Sequence, residues 1–325
     1  MPDLLTPPDH DPVGVLTSAL PVVLESSLVR LVPERLGAVV DTLLTPTDLP
    51  TWDATYHYVG DPESTAQYVF VLDTLNYCFW GEPRWQVECA GAWINGYYAL
   101  ALALKMAIER GEPVLRADWM ATVTPAQLAT TLGGRHPLPL LTERAAGLNE
   151  AGGLLLSRYG GRFAAMVDAA AGSAPGLVRL LANQLQSYRD VSTWRGRQVW
   201  FLKRAQICAS DLASALGGAS GLRDLDLLTA FADYKVPQVL RALGVIEYAE
   251  PLATRVDGRL SILSGSEAEL AIRAATVWAV ECIRRIAGCR GISVTARDLD
   301  WRLWLLGQSS DLPLKPYHLT RTIFY

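Results

Sequence analysis

The residues best suited to chemistry lie in the stretch FADYKVPQVLRALG, Phe231 to Gly244. A carboxylate, Asp233, stands there between two aromatic residues, Phe231 and Tyr234, and a cation, Lys235, follows. Pro237 has no N–H and a fixed φ, which suits the first turn of a helix, and Gly244 suits its end. Asp233 then lies just upstream of the helix, near the positive end of its dipole, where the ionised form is favoured. Two roles are open to it. It can cap the helix, although its spacing is early for a cap at the residue before Pro237. It can also stabilise a positively charged transition state or take a proton from water, with Phe231 and Tyr234 as walls.

Three further groups carry candidate residues. In WFLKRAQICASDL (Trp200–Leu212), Lys203 and Arg204 open an otherwise apolar helical pattern and point about 100° apart. Either one is a surface cation and the other a snorkelling one, or Lys203 faces a pocket and holds a carboxylate or phosphate. In DLDWRLWLLG, Asp300 and Trp304 share a helix face and Trp301 begins the next stripe. Such a stripe builds either a core or a ligand cage. Asp300 within it needs a partner, for which the neighbours of Arg302, Arg321 or a donor on a ligand are candidates. In VLDTLNYCFWGEPRW (Val71–Trp85), the spacing puts Asp73, Asn76 and Trp80 on one helix face. Phe79, Trp80 and Trp85 could wall an aromatic slot; alternatively Asp73 and Asn76 bridge buried backbone. His57, in TWDATYHYVG, and His318, in PYHLTR, complete the set. His318 and Arg321 share a face if that segment is helical. Aromatic slots with carboxylates suit a planar heterocycle bearing N–H donors, because rings stack and an aspartate accepts N–H bonds.

The elements that must position these residues read as mostly helical. VGVLTSALPVVLESSLVRLV (Val13–Val32) has helical periodicity, with Pro21 expected to kink or split it. Pro33 starts a second helix. Thr124 with Gln127, Ser266 with Glu269 and Thr295 with Asp298 form capping boxes, the second opening a helix to about Ile286 and the third one stopped at Gly307. RWQVECAGAWING (Arg84–Gly96) and VSTWRGRQVWF (Val191–Phe201) read as short hairpins. The expectation is one compact mostly α domain, residues 1–325, of roughly ten to fifteen helices carrying one or two small β-hairpins. The aromatic tail KPYHLTRTIFY is expected to dock on the body.

Bulk numbers narrow the function. A net charge of −4, from 29 basic and 33 acidic residues, disfavours duplex binding, which needs many cations. Five scattered cysteines with no CxxC spacing and only four histidines disfavour a zinc site and fit buried reduced thiols. No apolar run is long enough to span a membrane, and the first residues show no signal peptide, so a cytoplasmic protein is expected. GxGxxG after a strand, GxxxxGK[ST], HExxH and GxSxG are all missing, which removes the usual support for dinucleotide, triphosphate, zinc-protease and serine-hydrolase chemistry. Carboxylate chemistry among aromatics remains.

DTLNYCFW (Asp73–Trp80), GYYAL (Gly96–Leu100), LLTERAAGLNEAG (Leu140–Gly152), LKRAQICASDL, FADYKVPQVLRALGVIEY and the closing PYHLTRTIFY resemble, in order, the queuosine salvage family. The resemblance runs from about Trp52 to Tyr325. It implies an N-glycosidase that hydrolyses queuosine 5′-phosphate to queuine, a 7-deazaguanine base, and ribose 5-phosphate. It also implies a helical fold similar to helical DNA glycosylases, with no metal or organic cofactor. Lys235 departs from the family pattern, which has arginine there; lysine keeps the charge but not the bidentate fork. Under this resemblance Asp233 is the catalytic carboxylate, as stabiliser, nucleophile or activator of water. Asp300 or Asp73 binds the base, with Asn76 beside Asp73. Phe231, Trp301 and Trp80 stack, Tyr234 is a wall, and His57 reaches the ligand. Lys203, Lys235 and Arg321, with His318 beside it, are candidates for the 5′-phosphate. A small-molecule substrate, no nucleic acid, no membrane and a monomer are expected. The rival readings are a non-enzymatic module binding modified nucleosides or tRNA, and a hydrolase of other nucleosides, including damaged DNA.

Overall fold

Leu72, Leu75, Leu100, Leu104, Leu148 and Trp278 are all sealed from solvent, and each sits on a helix whose apolar residues recur at helical spacing. The computed structural model describes residues 4–44, 52–309 and 312–325. In chain order the elements are α1 (Val15–Glu25), β1 (Val29–Leu31), α2 (Pro33–Leu43), α3 (Pro62–Leu75), β2 (Gln86–Cys89), β3 (Ala92–Asn95), α4 (Gly96–Glu109), α5 (Ala117–Met120), α6 (Pro125–Leu132) and α7 (Leu141–Arg158). They continue as α8 (Phe163–Ala169), α9 (Ala174–Gln184), β4 (Val191–Trp194), β5 (Arg197–Trp200), α10 (Lys203–Leu216), α11 (Lys235–Ala242), β6 (Ile246–Tyr248), α12 (Glu250–Asp257), α13 (Glu267–Cys289) and α14 (Ala296–Leu306). Fourteen α-helices and three two-stranded sheets among the described residues make the chain mostly α.

The chain divides into two compact units. The first comprises Met1–Leu49, Asp190–Lys203 and Asp224–Arg321. Its axis is α13, buried along most of its length, with α1, α2, α11 and α14 packed on it. Trp278 Nε1 of α13 donates to Leu16 O of α1 at 3.1 Å, giving the buried indole the partner it needs. The second comprises Pro50–Arg189, Arg204–Arg223 and Thr322–Tyr325. There α3 packs on α4, α7 and α8. Gly152 of α7 allows α5 to approach closely, because a Cβ at that position would fall on the backbone of Ala117 and Ala121.

Local signals formed as read. Thr124 and Thr295 close complete capping boxes on α6 and α14, and α14 ends at Gly307. The hairpins β2–β3 and β4–β5 are in place, the second turning through Arg195 and Gly196 at positive φ. Ser266 caps α13 through Glu269 N, but the Glu269 carboxylate closes on Gly265 N instead of Ser266 N, and the helix runs on to Cys289. The tail docks: Cys78 N donates to Tyr325 O at 2.9 Å, and Tyr325 is buried.

The stretch from Val13 to Val32 is not one helix. α1 passes through Pro21 unsplit and ends at Glu25, where Ser26 turns extended and its Oγ takes the Leu28 amide. Residues 29–31 then pair antiparallel with β6, Arg30 opposite Glu247, so strand pairing overrides helical periodicity there. None of the cysteines forms a disulfide, but only Cys78, Cys208 and Cys282 are buried; Cys89 is half-buried and Cys289 exposed. Among the described residues, no helix is long and apolar enough to cross a membrane.

Candidate active site

α11 begins at Lys235, two residues before the proline that suggested its start. Pro237 is its third residue, still within the turn whose N–H groups have no intrahelical partner, so the missing N–H is tolerated. The amides of Lys235 and Val236 are such orphan donors. Asp233 Oδ1 accepts from both, at 2.8 and 2.9 Å. The carboxylate therefore caps the helix, and the early spacing is explained by the early start.

The dipole does not decide the ionisation of Asp233. The residue is half-buried, yet burial is the largest influence on its carboxyl and raises its pKa above the usual range. The Lys203 charge, the two amides and the Lys235 charge pull the other way without overcoming it. The helix start does favour the ionised form through its two amides, but burial outweighs it.

Asp300, on α14, is buried, and its Oδ1 accepts the Phe231 amide at 2.8 Å. Its partner is thus a backbone group, neither Arg321 nor a neighbour of Arg302. Burial first, then repulsion from Asp233, pushes Asp300 well above the carboxylate range; the Phe231 amide and Lys203 only moderate this. Two carboxyls that repel each other and share one cation make a site in which the second proton is hard to remove. Lys203 is itself buried, as is Arg204, so neither is the surface cation that the helical pattern allowed. The Arg204 guanidinium donates to Asp73 O, Thr74 O and Ser187 O, while the Lys203 backbone amide donates to Asp190 Oδ2 at 3.1 Å.

Phe231 is buried, and Tyr234 packs on Tyr317 with ring centroids 4.9 Å apart. Lys235 Nζ lies 5.2 Å from the centre of the Tyr317 ring, a cation–π placement. Trp301 is half-buried beside Trp304, centroids 6.0 Å apart, and its enclosed indole N–H has no hydrogen-bond partner among the described residues. His318 is buried and its pKa is pushed down to about 3, by burial first and then by the Arg273 charge. The segment holding it is extended, Ile262 N donating to Leu319 O at 2.8 Å, so His318 and Arg321 do not share a helix face; Arg321 is exposed.

The remaining candidates belong to the second unit. Asp73 is buried on α3, and Asn76, just past the helix end, donates to its Oδ1 at 3.1 Å. Trp80 lies beyond α3, on the chain that follows it, and packs against Tyr77, Cys78 and Leu140. It is therefore not on the Asp73 face. Trp85 is buried, with its N–H on Gly133 O at 2.9 Å. His57 has both ring nitrogens engaged: Nδ1 at 2.9 Å from Asp53 O and Nε2 at 3.1 Å from the Tyr97 hydroxyl, which donates to Asp211 Oδ2 at 2.9 Å. Burial lowers its pKa. Among the described residues, no group of three or more His, Cys, Asp or Glu is arranged to hold a metal ion.

Residues 56–325 match the family model described as queuosine salvage protein. The chain belongs to the queuosine salvage protein family. Within it, a relative from Sphaerobacter thermophilus named queuosine 5′-phosphate N-glycosylase/hydrolase is 45% identical over 97% of this chain and 98% of its own. Relatives of the same name from Dictyostelium discoideum and Bos taurus are 37% and 35% identical, covering 81% and 82% of this chain and 79% and 83% of theirs.

Sequence reasoning passed over Arg273 and Asp190. Arg273 is a lone charge in the apolar helical run AELAIRAATVWAVECI, and such a residue implies a buried partner. That partner is Asp190, held by two hydrogen bonds at 2.9 and 2.6 Å.

Proposed function

We propose that the chain is an N-glycosidase that hydrolyses queuosine 5′-phosphate, releasing queuine and ribose 5-phosphate, with residues 1–325 acting as one functional domain. The observation that carries the substrate is the match over 97% of the chain to a relative bearing that name. The chemistry is supported by the carboxyl pair. Cleavage of the N-glycosidic bond builds positive charge on the ribosyl carbon and ring oxygen. Asp233, the less strongly raised of the two acids, is the group that meets this charge as a carboxylate and then takes a proton from the attacking water. A proton ends on the departing base nitrogen, so that neutral queuine leaves and the carboxylate is restored. Its Oδ1 is fixed by two backbone amides, so the carboxylate needs no reorganisation when the cation forms.

Asp300 remains the protonated partner. With Oδ1 on the Phe231 amide, it offers its other oxygen to the base rather than a full carboxylate to two N–H groups. Phe231 and Trp301 supply apolar surface for the ring, Tyr234 a wall, and Lys203 and Lys235 positive charge for the substrate anion. His318 and Arg321 are the further candidates of this unit; His57, Asp73, Asn76 and Trp80 are those of the other, each open to test by substitution and ligand titration. The reaction as drawn uses no cofactor, takes a free mononucleotide in the cytoplasm, and engages neither tRNA nor membrane.

A panel of queuosine, queuosine 5′-phosphate, tRNA carrying queuosine and abasic-prone oligonucleotides, read out by released base, tests this. Release from the 5′-phosphate well above the others is expected. Salt-dependent tRNA binding without base release would replace the reading with that of a binding module.

A further inference from the structure

Arg273 of α13 makes a set of directed contacts that reaches the chain on both sides of the Asp233 site. Its Nη1 and Nη2 bind the two oxygens of Asp190 at 2.9 and 2.6 Å, and Nη1 lies 3.6 Å from Glu269. Its Nε donates to Ala232 O at 3.1 Å, and the guanidinium lies 4.0 Å over the Phe201 ring. Asp190 in turn accepts the Lys203 amide on Oδ2, and its carbonyl receives the amides of Phe201 and Leu202 at 3.0 and 3.3 Å. Arg273 and Asp190 are each 1% exposed.

One buried ion pair thus grips the peptide before Asp233 with one end and the backbone of Lys203 with the other. Such pairs contribute little net stability, because desolvation offsets their attraction; what they fix well is geometry. The geometry fixed here is that of the carboxyl and the cation on which the proposed reaction depends.

We propose that Arg273 and Asp190 are positioning residues that set the distance between the Asp233 carboxyl and the Lys203 ammonium. The inference rests on the proposed glycosidase role of Asp233. Its consequence is electrostatic. Lys203 is the leading charge that holds the Asp233 pKa down against burial, so a slackened brace lets that pKa rise. The groups facing the pair are Asp190, Glu269 and His318 around Arg273, Asp300 beside Asp233 and Lys203, and Lys235, whose charge also acts on Asp233.

The test uses Asp190→Asn, which keeps shape and one acceptor, and Arg273→Lys, which keeps charge but loses the fork. Both are assayed well below their melting temperatures. The expected result is a kcat lowered about 10- to 100-fold, a KM within about threefold, and an acidic limb of the rate profile displaced to higher pH. A kcat loss that follows only the unfolded fraction, with the limb unmoved, overturns the proposal. If either variant fails to fold, the neutral pair Asp190→Asn/Arg273→Gln takes its place under the same criteria. Carboxyl 13C NMR of Asp233 in wild type and variant separates this inference from the functional one. An upward-shifted titration supports the brace even if wild type releases no base from queuosine 5′-phosphate, and an unshifted one overturns it even if wild type does.

Discussion

Arg204 and Arg273 are both buried, both stacked on aromatic rings, and bound to different things. Arg204 stands over Tyr77 and Tyr188 and donates to the carbonyls of Asp73, Thr74 and Ser187. The first two of these are carbonyls of the last turn of α3, where the helix dipole is negative and the C=O groups lack intrahelical partners. Arg144 binds the Leu75 carbonyl in that turn and those of Tyr77 and Cys78 in the chain that follows it. Arg273 instead binds carboxylates and reserves one N–H for the peptide beside Asp233. One guanidinium closes a helix end; the other balances charge next to a group with work to do. Equal burial therefore does not imply equal roles, and the partner atoms separate a clamp from a brace.

Asp233→Asn should lower single-turnover base release by about 10³-fold, roughly 4 kcal/mol in the barrier, while substrate still binds by calorimetry. A near-wild-type rate removes Asp233 from the reaction and with it the special standing of Arg273. Next, Arg204→Met leaves three carbonyls without their donor and should cost about 3 kcal/mol in urea unfolding, without displacing the pH profile of the folded fraction. A displaced profile would erase the distinction between the two arginines.

His318 tests the surroundings of Arg273. Its folded-state pKa is about 3 against an ordinary 6.5, so the unfolded chain takes the proton first. Its contribution to stability is whole above pH 6.5 and is lost as pH falls toward 3, at up to about 1.4 kcal/mol per unit. Urea titrations at pH 7, 6 and 5 should show that slope, and His318→Asn should flatten it. The smallest effect is expected at Asp300. Its raised pKa means that the folded state holds a proton the unfolded chain gives up near pH 3.8, so stability falls as pH rises. Asp300→Asn should gain about 1 kcal/mol near neutral pH while losing activity, the usual trade at a functional group. A variant less stable than wild type there would mark Asp300 as a folding residue.

What the sequence disclosed is what is local. The Thr124 and Thr295 caps, the Gly196 turn and the Gly307 stop each depend on a few neighbouring residues, and they formed as read. Asp233 could be singled out because an acid between aromatics ahead of a proline is an unusual local pattern. Its ionisation could not be read, since burial by distant residues outweighs the adjacent dipole. Trp80 leaves the Asp73 face because α3 ends at Leu75, before the helical periodicity of the sequence does. Residues 29–31 and 246–248 are too short and too far apart for any local pattern to announce their pairing.

That pairing has a consequence for how the chain is made. Glu25 meets Arg195 and Arg197, Val29 meets Tyr248, and Trp278 meets Leu16, so the N-terminal segment finds its partners only after some 170–260 further residues have left the ribosome. At about 5–20 residues per second, that is a wait of roughly 10–50 s. Meanwhile the second unit holds an almost continuous run, Pro50–Arg189, which is finished earlier. The unit carrying Asp233 is therefore the late one to assemble during translation, and α1 and β1 are the segments that a nascent-chain chaperone would have most time to bind.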